Sequence, residues 1–348
     1  AAATVTLSGT WTKASGATIT NTTPPILSVV GTTAVVLPTE LTTLNTFTVN
    51  KSGSTCTLSD DLTVSTGALT VTAGTLVVGN NDLTASSTTS IALGATLNAA
   101  STATNTRTFT GTITLIGTLI SSGGSVTNTF TAALSIPATG VLTIDNSTST
   151  FSSTVDGVAS GAVINALGSS VTFNGIVTFT NITLNTNSNT NLTFNANQTA
   201  AGDQIPTLTV NNLTIGNNSV TFNGNITIYG NYNRTAAGTT TVGSNTFICY
   251  GSFTNPNGGD FIASGSTVKL YGTVTNWGAD ETEFVTNATT TLQILGSGTL
   301  PNFVTANPNN FGDFTLNRPG VTFNVTGANA ITFNSLTITA GTVSLPDE

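Results

Sequence analysis

Short runs in which apolar and polar residues alternate fill most of this chain. The segment LTVTAGTLVVG at 69–79 is representative: its period of two is the pattern of a β-strand with one buried face. Gly, Asn or Asp interrupts such runs roughly every 8–12 residues, which is the spacing of turns between short strands. The pattern therefore predicts an all-β protein built from many short strands.

One stretch of sequence recurs far along the chain. Leu44–Leu76 aligns without a gap with Phe311–Val343, and Gly53 and Gly320 occupy equivalent positions in the two copies. Shorter copies of the motif VTFNG occur at 171–175 and 220–224. Repetition of this kind predicts a protein in which similar units stack on one another.

Two architectures fit such repeats: a β-solenoid, in which each turn stacks on the next, and a row of tandem β-sandwich or jelly-roll domains. Tandem sandwiches would repeat about every 100 residues, whereas the copies here are irregularly spaced, so we expect a mostly parallel β-helix over 44–348. Turns of roughly 20–25 residues would give about 15 turns. Residues 1–43 do not match the repeat and are predicted to form a separate β segment, either an N-terminal cap or a strand donated to a neighbouring copy.

Charge is scarce and its balance excludes some partners. Only 6% of residues are charged and the net charge is −8, whereas about 25% are charged in an ordinary domain. Nucleic-acid binding requires clustered Lys and Arg, so we expect no nucleic-acid partner. No apolar run approaches the roughly 20 residues of a membrane-spanning helix. The small residues of AAATVTLSG fit the mature side of a signal-peptide cleavage site, which predicts an extracellular or cell-surface protein.

The segments FTVNKSGSTCTLSDDLTVSTGALTVTAGTLVVGNNDLT and LTVNNLTIGNNSVTFNGNITIYGNY resemble the repeats of large secreted adhesin-like surface proteins of bacteria and archaea. The likeness extends over 44–345 and implies an extracellular β-solenoid; it transfers no catalytic residues. The Thr-rich, weakly charged composition is also similar to that of archaeal extracellular filament subunits. These resemblances imply a structural subunit of a filament, a pilus-like fibre or an adhesin stalk, whose partners are further copies of itself in head-to-tail order and, as an alternative, surface glycans.

Catalytic chemistry has few candidates. The chain contains no His, which removes His-based triads, general bases and metal sites. The pair Asp60-Asp61 is expected to be a solvated turn, because the second copy has Gly and Ala at the equivalent positions 327 and 328. A polysaccharide-degrading β-helix enzyme is the main enzymatic alternative. It would need a basic residue beside an Asp cluster, but the basic residues are scattered, at Arg107, Arg234, Lys269 and Arg318. We therefore expect no enzyme, no catalytic residues and no cofactor.

Metal binding and glycosylation are the remaining site chemistries. Asp280, Glu281 and Glu283 form the densest acidic cluster and are the one calcium candidate, but they lack the spacing of a calcium loop, so we expect no metal. Twelve Asn-X-Ser/Thr sequons occur, about as many as the composition alone predicts. The candidates for N-linked glycans are Asn181, Asn191, Asn197, Asn212, Asn217, Asn225, Asn233, Asn287 and Asn324.

Three further patterns carry expectations. Cys56 aligns with Phe323, an inward position, and is expected to be a buried thiol rather than half of a disulfide with Cys249. Thr-X-Thr triplets, such as those at 46–48, 108–110 and 112–114, would place threonines in ranks on a flat face, which makes ice binding an alternative function. The segment Ser344–Glu348 follows the repeat without a charged cap. Two explanations stay open: the chain is a piece of a longer repeat protein, or an open edge docks on the next molecule.

Overall fold

The structure, a computed structural model, describes residues 2–12, 23–256, 258–277, 283–305, 309–327 and 331–345. The chain divides into two compact units, Ala1–Asn185 and Thr186–Glu348. Each unit is a parallel β-solenoid, and together they comprise about 15 turns. The predicted all-β, mostly parallel β-helix is confirmed. The alternative of tandem sandwiches is wrong, because sandwiches are built from antiparallel sheets and the strand pairs of both units are parallel.

The N-terminal unit winds around three faces, which we name A, B and C. Face A comprises Thr4–Leu7, Ile26–Val30, the first parts of Thr46–Thr57 and Leu69–Val77, Thr89–Ile91, Ile113–Leu115, Leu134–Ile136, Val155–Gly157 and Val177–Thr178. Face B comprises Val35–Val36, the second parts of Thr46–Thr57 and Leu69–Val77, Thr96–Asn98, Thr118–Ile120, Val141–Thr143, Ala162–Asn165 and Ile182–Asn185. Face C comprises Thr43–Leu44, Leu62–Val64, Leu83–Ala85, Asn105–Phe109, Val126–Phe130, Thr148–Phe151 and Ser170–Phe173. A 3-10 turn lies at Phe179–Asn181.

The turn length of this unit agrees with the sequence pattern. On face A, Leu27 pairs with Phe47 and Thr89 pairs with Ile113, so these two turns are 20 and 24 residues long. The strand Thr4–Leu7, from the predicted N-terminal segment 1–43, continues the same face by pairing with Ile26–Val30.

The C-terminal unit also has three faces, D, E and F. Face D comprises Leu208–Val210, Ile226–Ile228, Thr246–Cys249, Thr267–Leu270, Thr291–Leu295 and the first parts of Asp313–Gly327 and Ser335–Ser344. Face E comprises Asn191–Phe194, Asn212–Ile215, Tyr232–Arg234, Phe253–Thr254 and Val274–Asn276. Face F comprises Val220–Thr221, Gly238–Thr241, Gly259–Ile262 and Phe284–Val285. The strands Phe303–Thr305, Asn309–Asn310 and Ile331–Thr332 complete the unit.

The two aligned copies of sequence have the same backbone geometry. The long strands Thr46–Thr57 and Asp313–Gly327 contain Gly53 and Gly320, whose φ angles are +68° and +72°. A residue with a Cβ adopts this left-handed conformation only at a cost, so glycine here lets one strand serve two faces. Where each long strand pairs with the strand of the next turn, the register shifts at equivalent positions, around Asn50 and Asn317. The sequence repeat is therefore a repeat of a corner between two faces.

Inward residues form columns that run from turn to turn. On face C the rings of Phe109, Phe130, Phe151 and Phe173 are buried and stacked, with successive ring centroids 5.4, 4.5 and 5.1 Å apart. Burial of one such side chain contributes about 1.5–3 kcal/mol. This packing therefore holds neighbouring turns in register. The register in turn determines which outward residues of successive turns lie side by side.

Candidate functional site

The predicted calcium cluster lies mostly outside the described residues, which include Glu283 but neither Asp280 nor Glu281. The Glu283 carboxylate accepts a hydrogen bond from the Gly258 N–H. Its backbone carbonyl accepts one from Phe261, with an N···O distance of 2.6 Å. In the described ranges, no three Cys, Asp or Glu side chains converge as metal ligands. Glu283 thus holds one turn of the solenoid to the previous one.

The pair Asp60-Asp61 begins a series of turn carboxylates, and both residues are exposed, as predicted for a solvated turn. Asp61 Oδ1 accepts a hydrogen bond from the Asp82 N–H at 2.7 Å, and Asp82 Oδ1 accepts one from the Thr106 N–H at 2.7 Å. The Thr106 N–H bond, followed by the Asn105 amide, holds the pKa of Asp82 below its ordinary value. Each of these carboxylates ties one turn to the next.

Most of the basic residues lie inside the protein. Of the five Lys and Arg residues that the structure describes, four are buried: Lys51, Arg107, Arg234 and Arg318. The Arg107 guanidinium donates to the carbonyls of Gly79 and Ala99 at 2.8 and 3.1 Å, and Arg318 Nη2 donates to the carbonyl of Gly272 at 2.8 Å. Burial lowers the pKa of both arginines. These cations link carbonyl groups of different turns, and their donors are directed inward.

Two of these buried cations occupy equivalent positions in the two aligned stretches, Leu44–Leu76 and Phe311–Val343. Lys51 and Arg318 are equivalent residues, and the Lys51 ammonium donates to the carbonyl of Val30 at 3.0 Å. A polysaccharide-degrading site would need a basic group that faces its substrate. Arg107 interacts electrostatically with Asp82 and Asp61, but its donors bind backbone carbonyls below the surface.

Both cysteines are free and buried. Burial raises the pKa of Cys56 to about 12 and that of Cys249 to about 11. The prediction that Cys56 packs as a small buried side chain is confirmed, and it has no disulfide partner.

The nine sequon asparagines fall into two groups by exposure. Those exposed are Asn197, Asn217, Asn225 and Asn287. Those half-buried are Asn181, Asn191, Asn212, Asn233 and Asn324. An N-linked glycan is attached to Nδ2, and that atom already donates from Asn181 to the Gly157 carbonyl at 2.7 Å and from Asn212 to Asn191 Oδ1 at 2.7 Å. The exposed group therefore offers the more accessible acceptors.

Two edge strands expose apolar side chains of the kind that the core buries. On Ser335–Ser344, Leu336 and Ile338 are 43% and 47% exposed, whereas their equivalents in the first copy, Leu69 and Val71, are fully buried. On Thr4–Leu7, Val5 is 38% exposed. Among the described residues, Thr4–Leu7 pairs with one strand, and so does Ser335–Ser344.

A stack of tyrosines directly follows three strands of face D, and its residues are not among those predicted from the sequence. Its members are Tyr229, Tyr250 and Tyr271, whose successive ring centroids are 5.3 and 4.7 Å apart. Tyr229 and Tyr250 are 52% and 41% exposed. The available signal was the dipeptide Tyr-Gly, which occurs at 229, 250 and 271 and so recurs at the length of one turn.

Face C carries outward threonines in register, and the Thr-X-Thr triplets give rise to them. Thr106, Thr108, Thr127 and Thr129 belong to two adjacent strands of this face, in which Thr106 pairs with Thr127 and Thr108 pairs with Thr129. The triplet at 108–110, noted from the sequence, begins in this face, whereas those at 46–48 and 112–114 lie on face A.

No helix in the described parts of the chain has the length and apolar character needed to cross a membrane. Comparison with protein-family models, with curated proteins and with solved structures finds no match to this chain.

Proposed function

We propose that this chain is a non-catalytic structural subunit of an extracellular fibre or adhesin stalk, and that its copies join end to end by pairing of edge strands. The observation that carries the proposal is the matched exposure of apolar residues on Thr4–Leu7 and on Ser335–Ser344. An edge strand with free N–H and C=O groups is a template for pairing with another chain. The low charge and the likeness to secreted repeat proteins support the extracellular role.

The existing ladders define a register for this contact. On face A, Val5 pairs with Leu27 and Leu7 with Val29. A parallel pair that continues both ladders places Leu336 of one copy against Val5 of the next and Ile338 against Leu7. Apolar residues then meet apolar residues on the inner side, while threonines meet threonines on the outer side.

The energy of this contact comes from two sources. Removing the exposed parts of Val5, Leu336 and Ile338 from water contributes about 1 kcal/mol for each side chain, roughly half of what full burial contributes. Because association has an entropic cost of several kcal/mol, the backbone hydrogen bonds of the 10-residue strand Ser335–Ser344 must add to it. The side chains select the register, and the backbone extends the contact.

Electron microscopy and sedimentation velocity over a range of protein concentrations test the proposal. We expect fibres or end-to-end oligomers for the wild type and their loss in Leu336→Lys and in Ile338→Lys, because a charge would be placed inside the new turn. Thr337→Lys is the matched control, since it alters the outer side of the same strand and should leave assembly unchanged. All three positions are exposed, so circular dichroism should show an intact fold. A monomer at every concentration, or equal loss of assembly in Thr337→Lys, would refute end-to-end pairing.

A further inference from the structure

Face C presents a regular two-column array of hydroxyl side chains, which we name the threonine array. The first column is Thr106, Thr127, Thr148 and Ser170, and the second is Thr108, Thr129, Thr150 and Thr172. Within each column, every residue is the direct partner of the next in the parallel pairing of the strands. The first column is exposed and the second is half-exposed.

The array has two fixed spacings. Residues within a column are separated by the strand spacing, about 4.8 Å, and the two columns by two residues along a strand, about 6.7 Å. Thr is β-branched, so its χ1 angle is restricted and its hydroxyl and methyl groups keep defined positions. The array is thus a nearly rectangular lattice of hydroxyl groups, seven from Thr and one from Ser.

The interior beneath the array makes it rigid. The stacked phenylalanines of face C follow the second column by one residue along each strand and lie on the buried side. Inside the first column, Asn128 Nδ2 donates to Ser149 Oγ at 3.0 Å and to Ser147 Oγ at 3.2 Å. Dense packing and satisfied buried polar groups hold the outer hydroxyls in place.

The regular spacing of hydroxyl residues is a property of face C and does not follow simply from the high Thr content of the chain. On face A, the outward residues of the corresponding turns are Thr114, Ser135 and Asp156, which differ in size and include a charge. On face C, Thr110 and Thr131 are also exposed hydroxyl residues and extend the array along two strands. In the other direction the first column ends at Asp82, whose Oδ1 accepts a hydrogen bond from the Thr106 N–H. The lattice is therefore more than a surface preference for Thr.

We infer that the threonine array is an ice-binding surface. A lattice that repeats in two directions is matched at every point only by a partner that also repeats in two directions, and ordered water is such a partner. Each Thr hydroxyl can both donate and accept a hydrogen bond, as each water molecule of a lattice requires. The uncharged outward positions also matter, because a charged group orients water around itself and would disrupt the lattice. This inference does not depend on the proposed end-to-end assembly.

The chemistry of the array makes other occupants less suitable. The net charge of −8 opposes a nucleic acid. A second copy packed face to face would exclude water from the hydroxyls, and each hydroxyl left without a partner would cost about 1–3 kcal/mol. Ice satisfies the hydroxyls while the methyl groups lie against its surface.

Thermal hysteresis and inhibition of ice recrystallisation test the inference on the purified chain, with ice itself as the probe. We expect measurable hysteresis for the wild type and at least a several-fold reduction in Thr127→Lys, which places a long charged side chain inside the array. Thr114→Lys is the matched control: it alters an exposed threonine of the same unit on face A and should retain the hysteresis. Circular dichroism and thermal melting would establish that both variants are folded.

Three results would overturn the inference. The first is a wild type without hysteresis and without recrystallisation inhibition. The second is equal loss of activity in Thr114→Lys, which would mean that the effect is not specific to face C. The third is a change in sedimentation with Thr127→Lys but no effect on ice, which would make a second copy the occupant of the array.

Discussion

Stacking of successive turns can be tested with two glycines that differ in only one respect. Gly53 and Gly74 lie in successive turns at the same corner between faces A and B, with φ angles of +68° and +73°. A Cβ at Gly74 would lie 1.9 Å from the carbonyl oxygen of Lys51 and 2.6 Å from that of Ser54. A Cβ at Gly53 would meet no atom within 4 Å. At both positions, Ala would have to adopt the left-handed conformation. At Gly53 this is the only cost, whereas at Gly74 the added Cβ also clashes with the neighbouring turn.

The expected difference follows from these two contributions. The left-handed conformation costs an L-residue about 1–2 kcal/mol, and this applies to both variants. The loss of unfolded-state entropy on replacing Gly by Ala offsets part of it equally in both. At Gly74 the clashing atoms are backbone oxygens, so the turns must move apart, and overpacking of this kind costs about 1–3 kcal/mol more. We expect Gly74→Ala to lower the free energy of unfolding by about 1–3 kcal/mol more than Gly53→Ala.

Equilibrium unfolding in urea, followed by circular dichroism, measures this difference. Because turns of a repeat protein can open separately, hydrogen exchange of the amides of Ser54 and Thr75 provides a local readout. Faster exchange is expected there in Gly74→Ala than in Gly53→Ala. Equal destabilisation of the two variants would show that the Gly74 corner is not packed against Lys51, and the in-register stacking would then be wrong at this place.

Three further predictions concern buried or turn-linking groups. The pKa of Asp82 is lower in the folded protein than in the unfolded chain. The ionised carboxylate therefore stabilises the fold above the ordinary carboxyl pKa, and this stabilisation is lost as the pH falls through the folded-state pKa. Thermal melting at a series of pH values should show less destabilisation by acid in Asp82→Asn than in the wild type. Replacing Arg107 by Met leaves several backbone carbonyls without a donor and should lower the free energy of unfolding by about 2 kcal/mol in urea titrations; an unchanged midpoint would contradict the role of this cation in linking turns. Because burial raises the pKa values of Cys56 and Cys249 to about 12 and about 11, neither thiol should react with iodoacetamide in the native protein at neutral pH, and both should react in denaturant, as mass spectrometry would report.

The fold could be predicted because its determinants are local. The alternation of LTVTAGTLVVG correctly predicts that Leu69 and Val71 point inward, and it resumes in the other phase at the buried Leu76, after the corner at Gly74. The alignment with the second copy places Cys56 at an inward position, and the structure confirms it. The spacing of the copies distinguishes a solenoid from tandem sandwiches, because a solenoid tolerates turns of unequal length while a sandwich has a fixed size.

The buried cations and the outward arrays were harder to predict, because both depend on relations between turns. Arg107 occupies an inward position by alternation, but charged residues are rarely fully buried. Its burial requires carbonyl groups of other turns, which one strand does not reveal. Thr127 and Tyr250 each belong to a column of similar residues on successive turns. Such a column can be recognised only when the turn length is known, because that length determines which residues become neighbours. The Thr-X-Thr triplets predict ranks of threonines, but only the turn length shows which threonines are neighbours, and the same interval identifies the tyrosine stack.

The burial of positive charge also bears on how copies of this chain would meet. With four cations inside, the solvent-facing groups are even more acidic than the net charge of −8 suggests. Two copies that approach side by side therefore repel each other, more strongly at low ionic strength than at high. The edge strands Thr4–Leu7 and Ser335–Ser344 contain no charged residue, so the pairing that we propose would bring no like charges of these two strands together. Charge thus opposes side-by-side contacts, which is consistent with the edge pairing that we propose and with a threonine array that stays accessible to water.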